Sequence, residues 1–214
     1  MIEDLKGIKK EIISITILCC MIPMVAYAAP YRPAFIEDLS TVERLDESLS
    51  LGDKVIDLSI SYQTSNGQIP SALYKSHSPE NIKGWIQHSW PVFKSFLAQY
   101  DMPTADCRRN YNLNMFVVTP TIMDDRDRFE EAPWSTDVIR GKNDRIYGYY
   151  TATKEIKNNS TILVTDWVGH RENVILVHEM THYWYDRMCL RPHWKGSPEH
   201  FARTFQAYYE VRAP

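Results

Sequence analysis

Alternating apolar and polar positions predict strands in several parts of the chain. Residues 54–62 alternate in this way, which is typical of a half-buried strand, and the Thr-Ser-Asn-Gly sequence that follows is typical of a turn. Residues 113–119 are largely apolar and β-branched, which favours a central strand. Residues 145–151 and 160–166 have the pattern of the two arms of a hairpin, with polar residues 157–159 at the turn.

Apolar residues at helical spacing predict helices elsewhere. Residues 41–51 show a modest amphipathic pattern. A longer pattern begins after Ser78 and Pro79, which are favoured at the N-cap and first position of a helix, and Pro91 inside it predicts a kink. Residues 174–185 contain a single charged side chain, which indicates a buried helix. This mixture predicts an α+β fold, in which a small mixed sheet packs against the long helix and the buried helix.

The buried helix carries the sequence His178-Glu179-Met180-Thr181-His182. Two histidines at this spacing project from one face of a helix, one turn apart, and can both reach one metal ion. Zn²⁺ suits imidazole nitrogens, and a catalytic zinc site has three protein ligands and an open position for water. Glu179 can take a proton from that water. The alternative is a pair of core histidines that are satisfied by hydrogen bonds to neighbouring residues.

A third metal ligand is predicted on the next helix, which begins with a Ser-Pro-Glu sequence. The glutamate of this sequence, Glu199, follows His182 at a distance that allows a turn and a reversal of direction. We take Glu199 as the first choice, with Glu210 and His200 in reserve. The alternative role for Glu199 is that of a first-turn acid, which the helix dipole favours.

These motifs resemble those of the gluzincin zinc metallopeptidases, in which His-Glu-x-x-His is followed by a glutamate on a second helix. The segment Glu199-His200-Phe201-Ala202-Arg203-Thr204-Phe205 is similar to the Glu-x-Phe-Ala-x-x-Phe helix of the anthrax lethal factor type. The resemblance implies a zincin-like fold. It also implies that His178, His182 and Glu199 are zinc ligands and that Glu179 is the general base. The chain departs from that family at Arg203, where an acidic residue is common.

The same resemblance implies that a strand before the motif helix binds the substrate. An exposed strand edge can bind an extended peptide through main-chain hydrogen bonds, so residues 161–167 are predicted to bind a peptide or protein substrate. Gly148 would allow close approach of a backbone there. Asp186, one turn after the second histidine, is either a partner of the ligand ring or a surface residue. Three residues are left open as donors to the reacting oxygen: His193, Tyr208 and Tyr209.

The N-terminal residues have the composition of a secretory leader. Three lysines precede an apolar run over residues 12–25, and Ala26-Tyr27-Ala28 is an Ala-x-Ala cleavage signal. We therefore expect a signal peptide over residues 1–28, a zincin-like metallopeptidase domain over residues 29–214, and a periplasmic or secreted location. An uncleaved N-terminal anchor is the alternative, and contact with a membrane is expected only in that case.

The cysteine count agrees with export. Removal of the leader leaves two cysteines, Cys107 and Cys189. In an exported chain such a pair predicts one disulfide, which would tie the loop before a strand to the end of the motif helix. Two buried free thiols are the alternative.

The charge pattern excludes one class of partner. The net charge is −3, the isoelectric point is about 6.2, and no basic run is present, so we expect no nucleic-acid partner. The acidic cluster of residues 124–128 lacks the ligand pattern of a calcium loop and is interpreted as a solvated loop.

Taken together, the patterns and the resemblance predict an exported zinc metallopeptidase. It would hydrolyse peptide bonds with a zinc-activated water, and Glu179 would act as general base. The alternative is a zinc-bound binding or scaffold module of the cell envelope, with little or no peptidase activity and an envelope protein as partner.

Overall fold

A computed structural model of the protein describes residues 41–107, 112–118, 138–140, 146–152, 159–165 and 172–212, some of them by their backbone alone. The predicted leader and the acidic cluster of residues 124–128 lie outside these ranges. Within the described ranges, no helix combines the length and apolarity needed to span a bilayer.

The described elements occur in groups along the chain, as two strands, two helices, four strands and a final set of helices. They are β1 (Thr41–Ser50), β2 (Val55–Gln63), α1 (Ser71–Ser76), α2 (Pro79–Gln99), β3 (Asn112–Val118), β4 (Val138–Arg140), β5 (Ile146–Ala152), β6 (Asn159–Thr165), α3 (Glu172–Arg187), a short 3₁₀ helix (Arg191–His193) and α4 (Pro198–Arg212). The predicted strands β2, β3, β5 and β6 and the long helix α2 are confirmed. The Ser78 hydroxyl caps α2 by accepting a hydrogen bond from the Asn81 N–H at 3.2 Å.

The six strands form one mixed sheet in the order β1-β2-β3-β6-β5-β4. The three inner strands β2, β3 and β6 run parallel, and β1, β5 and β4 each pair antiparallel with a neighbour. In the middle of the sheet, Met115 of β3 pairs with Ile60 of β2 and Ile162 of β6. All three side chains are fully buried in the same apolar core as the helices. The mixed α+β architecture therefore agrees with the prediction.

Aromatic side chains hold α2 against α4. The Phe93 ring lies 4.9 Å from that of Phe205, and the Phe96 ring lies 5.5 Å from that of Phe201, centroid to centroid. All four side chains are buried. Burial of each phenylalanine contributes about 1.5–3 kcal/mol, so α4 is fixed relative to the rest of the core.

The predicted helix over residues 41–51 is wrong, because this segment is the edge strand β1. A β-bulge between Glu43 and Leu45 adds one residue to the strand. With that extra residue, positions three residues apart across the bulge lie on the same side of the strand, as positions four residues apart do in a regular strand. A helical spacing of apolar residues therefore also fits this strand. The register accordingly places the three apolar residues of the pattern opposite buried positions of β2: Val42 opposite Tyr62, Leu45 opposite Ile60, and Leu49 opposite Ile56.

The predicted substrate-binding edge over residues 161–167 is also wrong. Strand β6 lies between β3 and β5, so residues 161–164 pair with a strand on each side. Residues 166 and 167 lie outside the described ranges. The edge strand on this side of the sheet is β4, a three-residue strand without a sequence pattern of its own.

The predicted disulfide joins Cys107 and Cys189, whose Cα atoms are 5.9 Å apart. It connects the segment before β3 to the residues directly after α3. Neighbouring contacts support the same junction, since the Cys107 N–H donates to the Arg187 carbonyl at 3.1 Å and the Arg187 guanidinium binds Asp106 at 2.8 Å. A disulfide fits an oxidising compartment such as the periplasm or the outside of the cell.

Loss of this disulfide is expected to lower the free energy of unfolding by about 2–4 kcal/mol, because it closes a long loop in the unfolded chain. The measurement compares thermal unfolding with and without a reductant. A Cys107→Ser/Cys189→Ser variant is the control. It should unfold at the temperature of the reduced protein, and the reductant should not change that temperature. Equal unfolding temperatures for all samples would contradict the prediction.

Candidate metal centre

The centre is built on α3, whose middle is buried on all sides. The exposed fractions of the His178 and His182 side chains are 1% and 3%, and Glu179 is fully buried. One helical turn brings the two Nε2 atoms to 3.3 Å from each other. The Nε2 atoms of the two imidazoles therefore meet inside the protein, as the spacing of the two histidines in the sequence predicts.

Helix α4 supplies a carboxylate to the same point. The Ser197 hydroxyl caps the helix by accepting from the His200 N–H at 3.0 Å, which places Glu199 in the first turn. The Oε2 atom of Glu199 lies 3.3 Å from the Nε2 atoms of both His178 and His182. These three residues form a group whose ligand atoms all lie within 4.8 Å of one another.

The reserve ligands occupy other positions. His200 packs its ring against Trp194, with centroids 5.4 Å apart, and Glu210 accepts a hydrogen bond from the Gln206 amide at 2.8 Å. Glu199 is thus the third member of the group, and the other two carry no metal-ligating role in this arrangement.

The equal spacing of the three atoms fits a tetrahedral divalent ion. With metal–ligand bonds of about 2.0–2.1 Å, neighbouring ligand atoms around tetrahedral zinc lie about 3.3–3.4 Å apart. The observed separations are all 3.3 Å. An ion at this point would have three protein ligands and a fourth position to fill. The donor set of two imidazoles and one carboxylate suits several first-row divalent ions.

Gln206 orients the first histidine. The Glu210 carboxylate only accepts hydrogen bonds, so the Gln206 amide nitrogen faces it and the amide oxygen faces His178, 2.9 Å from Nδ1. With Nδ1 as the donor to Gln206, the lone pair of Nε2 would be available to a metal ion. No site role was predicted for Gln206. Its spacing of seven residues from Glu199, two helical turns, was the available signal.

Tyr150 of β5 orients the second histidine. Its ring stacks on that of His182 at a centroid distance of 5.8 Å and an interplanar angle of 12°. Its hydroxyl donates to the Asp186 carboxylate at 2.9 Å and also contacts the Ser160 hydroxyl at 3.2 Å. Asp186 thus supports the ligand ring through Tyr150. Nothing in the sequence indicated this role of Tyr150, because it depends on the pairing of β5 with β6.

Gly148 lets α3 approach the sheet closely. A Cβ atom at this position would lie 2.5 Å from Oε1 of Glu179 and 2.9 Å from a methyl group of Ile175. The predicted close approach at Gly148 is therefore real, but the group that approaches is the Glu179 side chain. Contact with β5 therefore restricts the position of this carboxylate.

Two opposing effects act on the Glu199 carboxyl. Its burial would raise the pKa, but hydrogen bonds to His178 and His182, the charge of His178 and a hydrogen bond from Arg203 outweigh that effect and hold the pKa well below its usual range. Glu199 is therefore anionic at neutral pH, which is the form that binds a cation.

The three candidate donors to the reacting oxygen lie in different surroundings. His193 is exposed on the 3₁₀ helix. The Tyr208 ring packs against Phe96 at 5.3 Å, and Tyr209 is buried, which raises the pKa of its hydroxyl. The contacts of these two tyrosines indicate a packing role.

The sequence matches no protein family, no curated protein and no solved structure. The resemblance to gluzincins therefore rests on the motif residues and on the geometry of the three ligand atoms. Both come from the chain itself, so the centre can be tested directly by mutation and metal analysis.

The purified protein is expected to bind a divalent ion at this centre, and His178→Ala is expected to lose it, because two remaining ligands hold such an ion far more weakly. Metal content per chain after dialysis, measured by elemental analysis, checks the prediction. His88→Ala is the control, since His88 is an exposed histidine on α2. Equal metal content in the His178→Ala and unchanged proteins would remove His178 from the centre.

Gly148→Ala is expected to destabilise the protein by about 1–3 kcal/mol, because the added methyl group overlaps buried side chains of α3. Gly84→Ala is the matched control, since a Cβ atom at Gly84 meets nothing within 4 Å. In the interior of α2 that control should be stabilising by about 0.5–1 kcal/mol. Chemical denaturation of both variants tests the pair, and equal effects would rule out the tight contact at Gly148.

Proposed function

We propose that this protein is an exported zinc metallopeptidase that hydrolyses peptide bonds. The observation that carries the proposal is the set of three ligand atoms at mutual distances of 3.3 Å, with a buried carboxylate next to the first histidine on the same helix. A catalytic site needs both the metal ligands and the Glu179 carboxylate, since the ligands alone would hold an ion without a general base.

His178, His182 and Glu199 are the residues that would hold Zn²⁺. A bound zinc ion supplies Lewis acidity, which lowers the pKa of a water molecule towards neutrality and polarises a carbonyl group. The protein contributes the fixed geometry. Gln206 and Tyr150 orient the two imidazoles, and the hydrogen bonds around Glu199 keep its carboxylate anionic.

Glu179 is the proposed proton carrier. Its side chain is fully buried and lies against Gly148 of β5, so its carboxylate has little freedom to move. In amide hydrolysis the carboxylate would accept a proton from the attacking water and pass it to the nitrogen of the leaving amine. Both transfers use one group, which begins and ends the cycle as a carboxylate.

The location rests on two independent features of the chain. The leader pattern at the N-terminus is typical of export, and the disulfide between Cys107 and Cys189 fits an oxidising compartment. Both support a periplasmic or secreted enzyme.

One observation favours the alternative, a zinc-bound scaffold or binding module. The two histidines are only 1% and 3% exposed, which limits the access of a substrate to an ion held between them. A structural site has no use for a general base, so a substitution at Glu179 separates the two functions.

Glu179→Gln is expected to retain zinc and to lower the rate of peptide hydrolysis by about 10²–10⁴-fold, since an amide cannot accept the proton. Turnover of a peptide library and zinc content are measured side by side. Glu80→Gln, at an exposed carboxylate in the first turn of α2, is the matched control and should behave like the unchanged protein.

Three outcomes separate the hypotheses. Loss of turnover with zinc retained supports the peptidase and the role of Glu179. Undiminished turnover with zinc retained contradicts that role. A protein that binds zinc but cleaves no peptide, whether or not Glu179 is changed, favours the scaffold.

A further inference from the structure

The most exposed charge beside the centre is that of Arg203, one helical turn after Glu199. Its Nε donates to Oε1 of Glu199, while the other carboxylate oxygen, Oε2, faces the two histidines. The guanidinium therefore lies one carboxylate group away from the point where the ion would bind. In the family that this chain resembles, an acidic residue is common at this position.

Side-chain exposure increases from the histidines towards Arg203. The exposed fraction is 1% at His178, 19% at Glu199 and 63% at Arg203. A molecule that reaches the ion position from this side passes Arg203 first. The group next to the reacting bond would then lie beside the guanidinium.

Arg203 retains capacity to bind an anion. A guanidinium has five N–H donors, and Glu199 takes one of them. No other residue in the described ranges accepts a hydrogen bond from Arg203. When Glu199 also binds a cation, its charge is shared, so the positive charge of Arg203 is left for a further anion. The planar fork of the remaining donors matches a carboxylate.

The chain segment around Glu199 carries a net positive charge. Residues 191–206 contain the exposed bases Arg191, Lys195 and Arg203, and Glu199 is the one acid among them. This charge favours an anionic group near the segment.

We propose that Arg203 binds a carboxylate of the substrate next to the scissile bond, and this inference rests on the proposed peptidase function. The preferred substrates are peptides that carry either a free C-terminal carboxylate or an acidic side chain at that position. Arg203 thus has two contacts, one with the metal ligand Glu199 and one with the substrate.

Binding of short peptides to the zinc-loaded Glu179→Gln protein tests the inference without relying on turnover. The first pair of probes is acetyl-Ala-Ala-Ala with a free C-terminus and its C-terminal amide. The second pair is acetyl-Ala-Asp-Ala-amide and its Asn analogue. Calorimetry should show roughly 10- to 100-fold tighter binding of the carboxylate in at least one pair, the range expected for a charge-assisted hydrogen bond. The pair that shows the difference identifies the source of the carboxylate.

Adding Arg203→Gln to this protein should remove the difference between carboxylate and amide probes, while Arg203→Lys should retain part of it. Zinc content is measured for every variant. If Arg203 acts only by orienting Glu199, Arg203→Gln lowers the affinity for every probe by the same factor and leaves the affinity ratio within each pair unchanged, which overturns the inference. Lys195→Gln is the matched control for surface charge. An equal loss of the affinity ratio in that variant also overturns the inference.

Failure of this inference differs from failure of the proposed function. A protein that hydrolyses peptides without preferring a carboxylate probe is a peptidase in which Arg203 has no substrate role. A protein that cleaves no peptide but still loses its carboxylate preference with Arg203→Gln has the anion site without the peptidase activity. No binding of any probe contradicts the inference directly.

Discussion

The structure depends on one constraint, which is that three ligand atoms from two helices must meet at one buried point. The helical turn between His178 and His182 holds their Nε2 atoms 3.3 Å apart. The Oε2 atom of Glu199 comes to the same distance from them only if α4 packs correctly on the core. Phe201 and Phe205, on the same helix, supply that packing against α2. The apolar stripe and the polar face of α4 therefore act together, since the stripe fixes the position of the carboxylate.

Strand β5 contributes to the centre through two residues on one face. Residues two apart on a strand point the same way, so Gly148 and Tyr150 both face α3. Gly148 leaves room for Glu179, and Tyr150 stacks on His182. The proposed base and the second ligand are thus positioned by the same stretch of sheet. A shift of one residue in the register of β5 would turn both contacts away from the helix.

The local part of the centre could be predicted from the sequence, because helical spacing brings His178 and His182 together and the N-cap sequence places Glu199 in the first turn of its helix. Contacts that depend on strand pairing could not. Tyr150 meets its histidine only because β5 joins β6, and nothing in the chain near Tyr150 indicates that partner. Gln206 falls between these cases, since its spacing from Glu199 places it on one face but does not reveal the bond to His178.

The two wrong predictions have the same physical origin. Apolar spacing reports which side of an element is buried, and it reports the type of element only when the backbone is regular. The bulge between Glu43 and Leu45 gave β1 the spacing of a helix, and the pairing of β6 on both sides removed the edge that its position before α3 had suggested. Each error arose where backbone hydrogen bonds to another strand, rather than side-chain burial alone, decided the structure. The spacing of His178 and His182 depends only on contacts within one helix, so strand pairing did not affect that prediction.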